Sequence, residues 1–381
     1  MKELFLRIVK KLKNYQWKSM NYRLLILVLG LTILGINIIG SADGSGTMKK
    51  QMLGMSLGLF ATIVFIIFDY KFVLKFYWLI YAFMLVLLIL VRVMGTEGYG
   101  ATRWIVITDG VTIQPSEFAK LFIILFFAKF IMKHKEKLNT LKIILACVFL
   151  LAIPLGLIFI QPDLSTSILI ALLFCSIMFI GGINYKVVFS VIGIGMVAAV
   201  VVLYLVLQPE QKILRGYQLK RIIAFYDKDS EYSDDLLMQQ ENSVMAIGSG
   251  GLWGKGLYND DPNSIKNGNY LPADHTDFIY AIVGEDLGFV GCLIVVVLLF
   301  LIVVECFITG LRAPDLSGKI ICCGFGSLIA FQAFINLSVV TMLIPNTGLT
   351  LPFVSYGLSS LISLYAGVGF ILNISLQKVK N

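Results

Sequence analysis

Apolar residues along this chain gather into blocks of about 17 to 25, the helical length that crosses a hydrocarbon core of ~30 Å. Ten such blocks occupy residues 22–40, 52–69, 76–94, 117–132, 143–160, 166–183, 187–207, 283–309, 320–344 and 352–376. None has the period-two alternation of an outer-membrane barrel strand. The pattern predicts an all-α, polytopic integral membrane protein of about ten transmembrane helices. One domain is expected over residues 1–381, with a single large polar loop, 208–282, between helices 7 and 8.

Ten passes return both termini to one side. Lys2, Arg7, Lys10, Lys11, Lys13, Lys18 and Arg23 precede or open the first block, and such a positive excess holds a terminus in the cytoplasm. The same orientation assigns Lys71, Lys75, Lys133, Lys135, Lys137, Lys142, Lys186, Arg312, Lys319, Lys378 and Lys380 to the cytoplasmic side, and loop 208–282 to the outside. The first block is long for the core of a secretory signal, and cleavage near Ala42 would discard the basic flank that orients the rest, so it reads as a retained span.

At 58% hydrophobic and 14% charged, the composition excludes a soluble globular protein. The net charge of +8 comes mainly from orientation determinants that anchor on anionic lipid, and it implies no nucleic-acid partner. All six cysteines (Cys147, Cys175, Cys292, Cys306, Cys322 and Cys323) fall inside apolar blocks, with no zinc or disulfide spacing in a polar segment.

A transporter is expected to carry ionisable groups near mid-membrane on broken spans. Here the charges within spans, Glu117, Lys120, Lys129, Glu285, Asp286 and Glu305, lie near block ends, and the dense polar motifs fall at 95–117, 161–166, 208–282 and 345–351. The chemistry is therefore expected at the outer face.

Within the large loop, LRGYQLKRIIAFYDKD alternates bases and apolar residues. Lys212, Arg215, Lys220 and Arg221 could meet lipid phosphate from an interfacial helix, and a plain surface helix has the same pattern. The segment AIGSGGLWGKG, 246–256, has five glycines, which suit a sharply bent backbone or close approach to a ligand. It is no P-loop: Ser249 and Gly256 stand where that motif needs Gly and Ser/Thr. Lys255 in this segment is a candidate substrate contact.

Asp277, in His275-Thr276-Asp277, opens the eighth span. It reads either as a helix cap or, beside Asp274, His275, Glu285 and Asp286, as one of several mutually perturbed titratable groups at a membrane mouth. Glu117 and Lys120, at i and i+3 in QPSEFAK, form either an intrahelical ion pair or a held lysine that meets a pyrophosphate. Trp104 is an interfacial belt residue or a sugar-stacking platform, with Arg103 beside it able to bind phosphate. Asp163 in QPDLSTS and Ser355 in PNTGLTLPFVSYGLSS belong to helix-breaking turns or to a re-entrant, cavity-lining backbone. Glu305 reads as an interfacial side chain near the inner end of its span, and His134 has no expected role.

Taken in order, G-x-x-R-W-I at 100–105, QPSEFAK at 114–120, QPDL at 161–164, AIGSGG-x-x-GKG at 246–256, LP-x-x-HTDF at 271–278 and LPF-x-SYG at 351–357 resemble the SEDS family (shape, elongation, division and sporulation), whose members include RodA and FtsW. The resemblance covers nearly the whole chain. It implies a bacterial cytoplasmic-membrane enzyme that polymerises peptidoglycan from lipid II on the outer face. The growing undecaprenyl-linked glycan would be extended by β-1,4 bonds, with release of undecaprenyl pyrophosphate.

The resemblance further implies a class B penicillin-binding protein as partner and Asp277 as the essential carboxylate. Trp104, Glu117 and Lys120 inherit importance from it. Lys120, Arg103 or a divalent cation, Mg²⁺ or Mn²⁺, would neutralise the leaving group.

Three positions depart from the family pattern: Leu358 for the second Gly of SYGGSS, Ser165 after QPDL, and Asn242 before Ser243. The first is expected to narrow a groove. Compact length and LKRIIAFYDKD lean toward the elongation-type branch. Two other classes use the same segments: a flippase for lipid-linked precursors, and a non-catalytic scaffold that recruits partners through spans 8 and 9.

Overall fold

A computed structural model describes residues 15–98, 101–108, 111–206, 225, 233–262, 264–268, 270–271 and 274–377. The basic residues before residue 15, Gly100, Pro272, Lys378 and Lys380 lie outside the described residues, as does nearly all of LRGYQLKRIIAFYDKD.

Helices account for most of the described chain: α1 Tyr22–Ile67, α2 Tyr77–Met94, α3 Pro115–His134, α4 Leu141–Ile160, α5 Leu164–Ile180, α6 Tyr185–Val206, α7 Ser233–Ser249, α8 Ile279–Leu311, α9 Leu316–Val340 and α10 Leu358–Leu376. Nine of them carry the apolar blocks, because α1 takes up the first two. It bends at Gly44, whose φ of 80° is left-handed. At ~1.5 Å per residue its 46 residues are long enough to cross a bilayer twice.

Among the described residues, six helices are long and apolar enough to cross a membrane, counting α2 from Tyr70. α3 misses that standard because Glu117, Lys120, Lys129 and Lys133 charge it, and α5 because it has 17 residues. α7, in the large loop, is the helix that no apolar block anticipated.

The expectation of an all-α chain needs one correction. Between α2 and α3, β1 Thr96–Gly98, β2 Ala101–Thr108 and β3 Val111–Ile113 form an antiparallel meander, with Thr96 opposite Trp104 and Ile105 opposite Ile113. The segment is rich in β-branched residues, Thr102, Ile105, Val106, Ile107, Thr108, Val111, Thr112 and Ile113, and Asp109-Gly110 is a hairpin signal in the sequence. Strands this short carry too little pattern beside blocks of membrane length.

The most enclosed helix is α10, which packs along α1 and against α3, α8 and α9. Small residues allow the approach. A Cβ on Gly58 would press on the Tyr365 ring, and one on Gly369 would lie 2.9 Å from Phe65 Cβ and from the Thr62 carbonyl. Thr62 Oγ1 donates to the Tyr365 carbonyl at 2.8 Å, and Tyr365 Oη donates to Thr32 Oγ1 at 3.1 Å. In lipid, such close packing and interhelical hydrogen bonding take the place of a hydrophobic drive.

The chain direction alternates from helix to helix, so polar contacts separate into two ends. Ser19, Asn21, Asp69, Glu305, Asp315 and Gln377 meet at one end; Asn21 Nδ2 donates to Glu305 at 3.0 Å, and Gln377 Nε2 donates to Asp69 at 2.9 Å. The described residues of the RWI, QPSEFAK, QPDL, glycine-rich, HTDF and LPFVSYG motifs lie at the other, hereafter the motif end. Gly369→Leu is expected to lower the midpoint of thermal unfolding in detergent, by the equivalent of about 1–3 kcal/mol for overpacking. Val368→Leu, a change of one methylene, serves as the comparison in the same melt.

Candidate functional site

At the motif end, side-chain hydrogen bonds tie segments far apart in sequence into one assembly. Pro115 opens α3, where its missing N–H costs nothing. One turn in, the Lys120 side chain is 2% exposed, and its Nζ donates to Glu117 Oε1 at 2.8 Å and to Gln332 Oε1 on α9 at 3.0 Å. Ser363 on α10 donates to the Glu117 carbonyl at 2.9 Å. The expected ion pair is present and is also an interhelical link. In this state the ammonium presents almost no surface to a pyrophosphate.

The PNTGLTLPFVSYG segment runs without helix from Ile344 to Gly357, with turns at 352–354, and several of its peptide groups are paired by side chains of neighbouring elements. Gln332 Nε2 donates to the Thr350 carbonyl at 2.9 Å, and Asn336 Nδ2 donates to the Leu349 carbonyl at 2.7 Å. Ser355 Oγ accepts from Leu351 N at 2.7 Å, and Gln51 of α1 donates to the Ser355 carbonyl at 3.0 Å. Ser165 donates to the Thr347 carbonyl, which joins QPDL to the same segment. These bonds explain how irregular backbone persists beside membrane helices. They give Ser355 a structural task in addition to the substrate contact expected of it.

The turn before α8 is held by its carbonyls. Tyr356 N donates to His275 O at 2.9 Å, Ser355 Oγ to Thr276 O at 2.6 Å, and Asn336 Nδ2 to Asp277 O at 2.8 Å. Three consecutive peptide oxygens are thus fixed, while the side chains of Asp274, His275, Thr276 and Asp277 stay partly exposed. The Asp274 carboxylate accepts from His275 N at 2.6 Å and lies 3.2 Å from Nδ1; Asp43, at the α1 bend, is 3.8 Å from Nδ1. The hydrogen bond to Asp274 raises the His275 pKa above its ordinary value. Burial opposes the rise, and the charges of Asp43, Asp274 and Asp277 add to it.

Glu285 and Asp286 are not part of that group. Both are buried. Glu285 receives Lys255 Nζ at 2.7 Å, Ile265 N at 2.9 Å and Lys266 N at 3.2 Å, while Asp286 receives Ser41 Oγ at 2.6 Å and Lys266 Nζ at 3.0 Å. Lys255, expected on substrate, is here a strut between the glycine-rich loop and α8.

That loop closes on the backbone of α8. Gly288, at φ 66°, breaks α8 and frees peptide groups on both sides. Lys255 N and Gly256 N donate to the carbonyls of Glu285 and Asp286, each at 2.9 Å, and Phe289 N donates to the Gly251 carbonyl at 2.9 Å. A Cβ on Gly250 or Gly254 would collide with the α8 backbone.

Arg103 on β2 binds the QPD turn: Nε donates to the Gln161 carbonyl at 3.3 Å, the guanidinium also donates to the Pro162 carbonyl, and Asp163 lies 3.9 Å away. Asp163 caps α5 by accepting from Thr166 N at 3.1 Å. Trp104, next along β2, is half-buried. Of the departures from the family pattern, Leu358 packs toward Gly54 of α1, and Asn242 donates to the Tyr270 carbonyl at 2.6 Å.

Among the described residues, no three His, Cys, Asp or Glu side chains converge as a metal site. Sequence reasoning missed Gln332, Asn336, Lys266, Gln51 and Ser41. Gln332 and Asn336 carried a usable signal, two amides one helical turn apart in an otherwise apolar span.

The profile of a family of cell cycle proteins, FtsW, RodA and SpoVE, matches residues 18–380. A Trichlorobacter lovleyi protein named probable peptidoglycan glycosyltransferase FtsW is 35% identical over 377 residues, 95% of each chain. Peptidoglycan glycosyltransferase MrdB of Escherichia coli K12 is 31% identical over 357 residues, 92% of each. Among solved structures, a chain from a peptidoglycan synthase complex that coordinates polymerization and crosslinking superposes with a TM-score of 0.78 at 27% identity, covering 94% of this chain and 98% of that one. The rod shape determining protein RodA of Thermus thermophilus gives 0.70 at 26% identity, covering 96% and 99%.

Two outcomes follow from these contacts. Lys266→Met strands Asp286 in a buried site and is expected to destabilise the protein by about 3–5 kcal/mol, read as a lowered unfolding midpoint. Because the folded pKa of His275 is raised, its stabilising contribution is complete below its ordinary value of 6.5 and is lost as pH rises through the raised value. Melting midpoints of wild type and His275→Gln should therefore converge as pH increases above 6.5.

Proposed function

The chain belongs to the FtsW, RodA and SpoVE family of integral membrane proteins and is a peptidoglycan glycosyltransferase, and we propose that it polymerises lipid II with Asp277 as general base. The observation that carries the assignment is the HTDF turn, where three successive carbonyls are pinned and the Asp277 carboxyl side chain stays partly exposed at the motif end. A fixed backbone under a solvent-reachable carboxylate is what proton abstraction from a bound hydroxyl requires.

The 4-hydroxyl oxygen of an incoming GlcNAc bonds to the anomeric carbon of the growing chain's lipid-linked MurNAc. The bond from that carbon to the pyrophosphate oxygen breaks, its electron pair leaves with undecaprenyl pyrophosphate, and the hydroxyl proton passes to Asp277. A base in this role contributes roughly 10²- to 10⁴-fold. Trp104 is proposed to stack on a sugar ring. Arg103 and His275 lie partly exposed and supply positive charge toward the pyrophosphate, Arg103 while bracing the QPD turn.

Lys120, Glu117, Asp163, Lys255 and Ser355 act here by holding the site's shape. A Mg²⁺ or Mn²⁺ ion, if used, would supply positive charge to the leaving pyrophosphate. We further propose that both termini are cytoplasmic, that the motif end faces outward, and that a class B penicillin-binding protein crosslinks the product. The elongation role is proposed from the LKRIIAFYDKD segment. Relatives named FtsW and MrdB match at 35% and 31% identity, so depletion that gives round cells supports it and filaments point to division.

Purified wild type and Asp277→Asn, each with a class B partner, are compared for glycan ladders from lipid II. Wild type is expected to make ladders and the variant, folded and partner-bound, to lose them. Normal turnover by Asp277→Asn overturns the base assignment. Absence of ladders from folded wild-type complex, together with headgroup translocation in vesicles, favours the flippase.

A further inference from the structure

The polar face of α9 meets the catalytic turn from inside the protein. Asn336 is 1% exposed, so it does not reach substrate, yet its one amide nitrogen spends both hydrogens on the site: one on the Asp277 carbonyl at 2.8 Å, the other on the Leu349 carbonyl at 2.7 Å. One helical turn earlier, Gln332 repeats the arrangement on the next residue of the same segment. Its Nε2 binds Thr350 through the carbonyl at 2.9 Å and Oγ1 at 3.2 Å, and its Oε1 receives Lys120 Nζ at 3.0 Å. Lys120 is in turn fixed by Glu117 at 2.8 Å, and Ser363 of α10 holds the Glu117 carbonyl.

A line of hydrogen bonds, carried across the Leu349–Thr350 peptide by the chain itself, thus runs from α10 through the buried ion pair to the peptide of Asp277. Each link has a chemical requirement. Among uncharged side chains only a primary amide supplies two N–H donors on one atom; a carboxylate supplies none, and a hydroxyl supplies one. Two carboxamides at i and i+4 on an apolar helix are costly to bury unless every donor is used, and here the donors are used on adjacent residues, 349 and 350.

We propose that Asn336 is a positioning residue for the glycosyl transfer. It sets the Asp277 backbone against the Leu349–Thr350 segment, and Gln332 connects that register to the Glu117–Lys120 pair. The role of Lys120 in the reaction is then indirect: it anchors the far end of the line that locates the base. This rests on Asp277 acting as the base.

The test uses full-length protein with its class B partner and three readouts: initial rate against lipid II concentration, equilibrium binding of labelled lipid II counted as sites per protein, and melting midpoint. Asn336→Asp keeps the volume and removes both donors. A misplacement on the ångström scale costs up to about a hundredfold. The expected result is a kcat about ten- to hundredfold lower, with KM within about twofold and the number of binding sites unchanged.

If Asn336→Asp does not fold, Asn336→Ser, which retains one donor, takes its place with a smaller loss expected in the same pattern. A folded variant with wild-type kcat overturns the proposal, as does loss of binding sites in proportion to activity, which marks a purely structural residue. Wild type without any ladder removes the polymerase reading and this proposal together, whereas an active wild type beside an unaffected variant removes this proposal alone.

Discussion

A lysine ammonium closed inside a helical membrane protein cannot stay unpaired, and the site is organised around that constraint. Lys120 draws Glu117 from its own helix and Gln332 from α9, and through Gln332 it reaches the irregular segment before α10. Breaking such a pair from one side strands a buried charge, which costs far more than the pair contributes as a whole. The ion pair is therefore better understood as a specifier of geometry than as a source of stability. With it in place, α3, α9 and α10 have one mutual register at the motif end.

The same logic governs the two stretches of backbone that leave helical form. Residues 344–357 would be untenable beside lipid with free peptide groups, and Gln51, Gln332, Asn336 and Ser355 supply the partners. At α8 the break at Gly288 exposes carbonyls and amides that the glycine-rich loop then satisfies, and the buried Glu285 and Asp286 lock the loop from below through Lys255 and Lys266. Function benefits indirectly. The carboxylate assigned as base sits on a turn whose peptide oxygens at His275, Thr276 and Asp277 accept hydrogen bonds from α9 and from the 344–357 segment.

Much of this was legible in the chain. The helical blocks stood out because lipid admits few charges over about 20 residues. Pro115 marked a helix start through local chemistry alone. HTDF was visible as a concentration of titratable groups, and Glu117 with Lys120 as an i, i+3 pair. The short meander went unread, since its outer strands have three residues each and its β-branched central strand and Asp109-Gly110 signal sit between blocks of membrane length. Nor was the difference in burial among the carboxylates: Asp277, Glu285 and Asp286 look alike in a sequence, yet the last two are buried and the first is partly exposed.

The sequence by itself determined that the chain crosses a membrane as helices and that its chemistry gathers between certain spans, because transfer of backbone and charge into lipid is priced residue by residue. Tertiary structure alone decided which polar groups are buried in pairs and which stay partly exposed at the motif end. That depends on distances between residues scores or hundreds apart, such as Asn336 to Asp277 or Lys120 to Gln332, and no local periodicity encodes them.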